Sequence, residues 1–107
     1  MFKETSKELL DFLSKSPTAF HAVENYRQIL NADGFKELLE SEHWDIVPGG
    51  KYYVTRNNTS ILAFKVGTKL DNYSFNIVTS HTDSPTFKVK ENAEIEVKNK
   101  YTQLNTE

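Results

Sequence analysis

The hydrophobic pattern of this chain changes period once, at Pro48-Gly49-Gly50, and that change limits the folds open to it. Upstream, apolar residues recur at helical spacing. Downstream, they cluster in short runs rich in β-branched and aromatic residues, separated by turn residues. Helices followed by strands point to a chain that packs a helical layer on a sheet.

Thr5, with Glu8 three residues on, fits a capping box, and Leu9, Leu10, Phe12 and Leu13 form the apolar stripe of a helix over residues 5–14. Ser16-Pro17 stops it, because the residue before proline avoids the helical region. Ser16 then fits as N-cap and Pro17 as first residue of a second helix. Ala19, Ala22, Val23, Tyr26, Ile29 and Leu30 recur at helical spacing and define one face, and Gly34 ends it. FKELLE, residues 35–40, is expected to add a short helix.

Beyond the Pro48-Gly49-Gly50 turn, KYYVTRN and SILAFKVG flank Asn57-Asn58 and read as a hairpin. A loop from Thr68 to Asn72 leads to YSFNIVTSH, whose Phe75, Ile77 and Val78 suit a strand buried on both faces. After Pro85, Val89, Ile95 and Val97 alternate with charged residues, as in strands with one solvated face. No crossover helix is visible after residue 81, and YTQLNTE offers no closing element. The expected fold is therefore α/β, two helices followed by a mixed sheet, incomplete without further chain.

Composition excludes several functions. With 13 basic and 15 acidic residues the net charge is −2, which supplies no broad positive field for nucleic acid. Cysteine is absent, so disulfides and thiolate metal sites are excluded. No run approaches the ~20 apolar residues of a membrane span, and the first 16 residues lack the apolar core of a signal peptide. A soluble, cytoplasmic protein is expected. Phosphate-binding glycine loops and a Gly-x-Ser-x-Gly elbow are also missing.

The sharpest local feature is Ser80-His81-Thr82-Asp83-Ser84-Pro85, which follows the most apolar run. Ligands gather at the carboxyl ends of strands in open α/β sheets. Two residues apart in extended chain, His81 and Asp83 face the same side. A metal-binding His with an Asp to orient it would use this spacing, but a simple strand-end turn built on Asp-Ser-Pro would too. His21 falls on a polar helix face, and His43 could pack against Trp44. The spacing of residues 21, 43 and 81 does not argue for a three-His zinc site. Arg56 and Lys88 could bind an anionic group or simply face solvent as strand residues. Tyr52 and Tyr53 fit packing within the sheet.

Several segments, in order, carry a resemblance. SPTAFHAV, GFKEL, WDIVPGGKYYVTRN, ILAF and SHTDSPTFKVK resemble the start of aspartyl aminopeptidase-type zinc metallopeptidases, from about Leu9 to the end. The resemblance implies an α/β catalytic domain with two metal ions, usually zinc, and an inserted second domain that helps build a homo-oligomer. It implies removal of N-terminal, often acidic, residues from peptides. His81 matches the family's first metal-binding His, and Asp83 the catalytic Asp that orients the metal centre. By the same match, residues 1–90 belong to the catalytic domain and 91–107 open the inserted one. The family's other ligands, a bridging Asp, a Glu-Glu pair, a further acid and a final His, have no counterpart here, so the chain by itself is expected to be inactive. The competing expectation is a non-catalytic interaction or oligomerisation module.

Overall fold

The computed structural model describes residues 1–72 and 74–107. It contains helices α1 (Phe2–Ser14) and α2 (Ala19–Ala32) and strands β1 (Lys36–Glu37), β2 (Lys51–Arg56), β3 (Ser60–Lys65), β4 (Val89–Val97) and β5 (Tyr101–Thr106). Strands β1, β2 and β3 form one sheet in that order, while β4 and β5 form a separate ribbon. The β1–β2 pair is parallel and the β2–β3 pair antiparallel, so the first sheet is mixed as expected.

Helix α1 begins three residues earlier than the capping-box reading, with Met1 as N-cap. Thr5 is inside the helix. Its backbone N–H already reaches the Met1 carbonyl at 3.1 Å, and its hydroxyl donates back to the same oxygen. Ser16 is likewise not the cap of α2. Its buried hydroxyl donates to the Phe12 carbonyl at 2.7 Å and accepts from Asn25 Nδ2 at 2.9 Å, closing the end of α1 instead. The cap role passes to Thr18, extended at φ −129° and ψ 164°, whose side chain accepts from the His21 backbone N–H. Phe12 and Tyr26 join the two helices with ring centroids 4.7 Å apart.

At the other end of α2, Gly34 takes φ +82°. The Gly34 N–H reaches the Asn31 carbonyl at 3.1 Å, and the Phe35 N–H reaches Leu30 at 2.9 Å. This Schellman arrangement satisfies the last carbonyls and throws the chain outward. FKELLE therefore does not form the expected helix. Six residues cannot sustain one alone, whereas Lys36 and Glu37 gain a parallel pairing with Tyr52 and Tyr53, continued by the Leu38 N–H on the Tyr53 carbonyl at 2.8 Å.

The core is built on both faces of β2, with Tyr53 turned toward α2 and Tyr52 toward Phe64. Ala22 and Val23 from the helix and Tyr52, Tyr53 and Val54 from the strand are its buried members, with Tyr53 only 1% exposed. The Tyr53 hydroxyl donates to Asn31 Oδ1 at 2.9 Å. Beside it, Arg27 bonds Glu37 at 2.9 Å and Glu24 at 3.3 Å. The Tyr53 hydroxyl and the Glu37 carboxylate push the Arg27 guanidinium above its ordinary value. Lys51 Nζ meets the Asp33 carbonyl at the end of α2, placing a cation where the helix dipole favours one.

Val47 to Gly50 forms the expected turn, with Gly49 at φ +78° and the Gly50 N–H on the Val47 carbonyl at 3.0 Å. The β2–β3 hairpin turns on Asn57 and Asn58, both at φ +53°, the left-handed values that favour asparagine. Lys98 and Asn99 do the same for β4–β5. The YTQLNTE segment, in which no closing element was visible, supplies strand β5 (Tyr101–Thr106), and pairing with β4 gives its backbone groups partners along one edge.

The segment expected to be a doubly buried strand differs most. Tyr73, at its start, lies outside the described residues. From Ser74 to His81 no strand forms, and Phe75, Ile77 and Val78 are exposed, Val78 at 98%. A central strand needs a neighbour along each edge, and here none of the described strands pairs with this run. The molecule is correspondingly open. Its radius of gyration is 20.3 Å, against about 13 Å for a compact domain of this length. Its accessible surface is 9608 Å², roughly 3,500 Å² more than a folded monomer of this mass presents. Among the described residues, no helix is long and apolar enough to cross a membrane.

Candidate metal centre

Residues 80–85 lie beyond the exposed apolar run, against the turn of the β2–β3 hairpin. The His81 and Asp83 side chains come together, through a bend at Thr82 and not along the extended chain expected. His81 Nδ1 lies 2.7 Å from the Asp83 carbonyl oxygen and 3.1 Å from Asp83 Oδ1. Both partners are acceptors, so Nδ1 carries the proton and donates. In the neutral ring this leaves the Nε2 lone pair free to ligate. The two side chains are 76% and 81% exposed, so the pair stands open to solvent.

Zinc accepts a neutral imidazole whose other nitrogen is bound to a carboxylate or carbonyl. The His81–Asp83 pair has that form, so the donor chemistry fits one zinc ligand with its orienting partner. Among the described residues, no group of three or more His, Asp or Glu side chains could hold an ion. Catalytic zinc commonly takes three protein ligands.

The other sequence candidates lie elsewhere. His21 is exposed, with Nδ1 2.6 Å from Thr18 Oγ1 at the start of α2. His43 does not pack on Trp44. Its side chain stands in solvent, 3.7 Å from Asp45 Oδ1, while Trp44 turns inward, donating to the Leu39 carbonyl at 2.8 Å and lying 6.3 Å from the Phe64 ring. Arg56 grips Glu40 with Nε at 3.0 Å from Oε1, and Lys88 pairs with Glu107 at 3.4 Å, so each cation is already matched to a carboxylate. Tyr52 and Tyr53 are buried in the sheet as expected.

The sequence pattern did not single out Thr82. Its hydroxyl donates to the Thr59 carbonyl at 2.7 Å, across 23 residues of chain. The chain bends at Thr82 and is not extended there, so the alternation of an extended strand did not point to it.

Residues 12–107 match the family described as Aminopeptidase I zinc metalloprotease (M18). The chain belongs to this family. It is 50% identical over 103 residues to a probable M18 family aminopeptidase 2 of Clostridium novyi (strain NT), a match covering 95% of this chain and 24% of that protein. It is 46% identical over 92 residues to an aspartyl aminopeptidase of Dictyostelium discoideum, covering 85% of this chain and 19% of the relative. A cryo-EM structure of an Ape4 and Nbr1 complex superposes with a TM-score of 0.83 at 39% identity, over 98% of this chain and 20% of that one. The S. cerevisiae mApe1 dodecamer superposes with a TM-score of 0.71 at 28% identity, over 98% of this chain and 25% of that one. This M18 chain therefore spans about a quarter of the length of the relatives it matches.

Proposed function

We propose that this chain forms part of the catalytic domain of a zinc aminopeptidase that removes N-terminal residues, acidic ones foremost, from peptides. The supporting observation is the His81–Asp83 pair in a chain of the M18 family, with Nδ1 protonated and Nε2 free. His81 Nε2 is the proposed ligand. Asp83 fixes the tautomer, aims the ring and raises its basicity. Bound at a site completed by residues beyond this chain, the zinc pair would polarise the scissile carbonyl and lower the pKa of water.

The exposed Phe75-Asn76-Ile77-Val78 run supports the same reading, because it carries the apolarity of a central strand and has no paired neighbour among the described residues. We place the catalytic portion at residues 1–90 and the opening of the inserted domain at 91–107. The complete enzyme is a homo-oligomer on this reading, and the cysteine-free composition suits the cytoplasm.

The test grafts residues 1–107 in place of the corresponding quarter of the Clostridium novyi relative and follows hydrolysis of an aspartyl substrate. His81→Ala should abolish turnover; a graft that works equally well without His81 would sink the proposal. For the isolated chain, calorimetry should show no tight zinc binding, with or without His81. Tight, His81-dependent binding would mean that the chain completes a site by itself.

The exposed apolar run also favours a second reading, a non-catalytic association module, since such surface tends to find partners. Sedimentation across a concentration series separates the two: a monodisperse monomer argues against association.

A further inference from the structure

We propose that Thr82 is the positioning residue that locates the His81–Asp83 pair, by anchoring the loop between them to the turn of the β2–β3 hairpin. This rests on the reading of His81 as a metal ligand, but the anchor itself can be tested without metal.

Among the described residues from Ser74 to Lys88, all are exposed except Thr82, which is half-buried. Its 2.7 Å hydrogen bond to the Thr59 carbonyl is, among those residues, the tie between this stretch and the first sheet. The accepting carbonyl is itself well held. Thr59 donates its N–H to the Arg56 carbonyl at 3.1 Å, and Asn57 and Asn58 set the turn between them. Arg56 is in turn gripped by Glu40. A fixed acceptor thus meets a fixed donor on the residue between the proposed ligand and its orienting carboxylate.

The consequence for His81 is direct. Its Nδ1–H is shared between the Asp83 carbonyl and carboxylate, so the peptide of Asp83 must stay turned toward the ring. Rotation about the Thr82 backbone would break that geometry, and the Thr82 hydroxyl opposes such rotation. Asp83 orients the imidazole, and Thr82 holds the Asp83 peptide where it can do so.

The test is nitrogen NMR of the His81 ring in this chain, at about pH 8.5 where free imidazole is neutral, with the Thr59 carbonyl carbon observed alongside. The variants are Thr82→Val, which removes the hydroxyl at constant shape, and Thr82→Ser, which keeps it. In the wild type the Nδ1–H tautomer should dominate. In Thr82→Val its ratio to the Nε2–H tautomer should fall about 2- to 10-fold, the equilibrium weight of one hydrogen bond. The Thr59 carbonyl shift should move with it, while the amides of α2 and β2 stay in place. Thr82→Ser should retain the wild-type signals.

An unchanged tautomer in Thr82→Val, its loss in Thr82→Ser, or a wild-type ring protonated at Nε2 would each overturn the positioning role. Amide shifts spread over α2 and β2 would overturn it too, by making Thr82 a general packing residue. Failure of the zinc reading looks different: the grafted enzyme would ignore His81→Ala while the tautomer still followed Thr82.

Discussion

Gly50→Ala tests how tightly β2 is packed at its entry, on the face that carries Tyr52 and Phe64. A Cβ on Gly50 would stand 2.5 Å from both Cε2 and Oη of Tyr52 and 2.7 Å from Cζ, at least about 1 Å inside normal carbon contact. The ring cannot swing aside freely. It is buried, its centroid lies 5.6 Å from that of Phe64, and its hydroxyl accepts the Val47 N–H at 3.1 Å. Moving the backbone instead strains the bond from the Val66 N–H to the Gly50 carbonyl at 2.8 Å. Overpacking costs about 1–3 kcal/mol, and loss of the Val47 bond adds about 0.5–1.5 kcal/mol, so a loss of about 2–4 kcal/mol is expected. Gly34→Ala is the control. A Cβ there meets nothing within 4 Å, so only the strain of φ +82° remains, about 1–2 kcal/mol. Urea titration followed by fluorescence reads both, because Trp44 is the single tryptophan and its ring adjoins Phe64. A Gly50→Ala midpoint at or above that of Gly34→Ala would refute the clash as the governing term.

Thr18→Ala removes the acceptor for the His21 N–H and should lower the urea stability by about 1 kcal/mol, with far-UV circular dichroism showing the loss in helix; a neutral effect would mean solvent caps α2 equally well. Asp83→Asn in the grafted enzyme should lower kcat by ~10–100-fold with the fold intact by circular dichroism, and unchanged kcat would remove Asp83 from its orienting role. Arg27 has its folded value raised by Tyr53 and Glu37, so its contribution is complete below the unfolded value and is lost only as pH climbs through the still higher folded one. The stability difference between wild type and Arg27→Ala should therefore stay flat from about pH 6 to pH 9, and a drift across that range would point to a different titrating partner.

What could be read from the sequence divides by the distance over which each feature is decided. The Ala22 and Val23 part of the α2 face and the helix end at Gly34 were legible, because helical spacing and a left-handed glycine are local signals, whereas Tyr26 and Ile29 of the same face are exposed. Asn57-Asn58 marked its hairpin for the same reason. FKELLE contributes a strand and not the expected helix because Lys36 and Glu37 pair with Tyr52 and Tyr53, more than a dozen residues away, and nothing inside the segment announces that pairing. Ser16 and Thr18 are both good cap residues, and the choice fell to Thr18 once Asn25 and Phe12 engaged the Ser16 hydroxyl. Phe75, Ile77 and Val78 are exposed where a buried strand was expected, because burial belongs to the neighbours as much as to the segment, and among the described residues none pairs with this run.

The candidate site shows the same division within three consecutive residues. The members of the His81–Asp83 contact lie within three residues of one another, so the pair was visible in the sequence. The position of that contact depends on the Thr59 carbonyl, a backbone group that no residue pattern identifies. On the proposed function, Asp83 sets the imidazole in its ligating tautomer before any other ligand is present, and the Thr82 anchor on the β2–β3 turn holds Asp83 where it can do so. The left-handed Asn57 and Asn58 then matter to the metal centre although neither side chain enters it. Altering that turn, for instance by a β-branched residue at position 58, should displace the Thr59 carbonyl and reproduce the Thr82→Val signature at His81 with Thr82 intact. A His81 ring that kept its tautomer while the turn was remade would show that the pair is held by Asp83 alone.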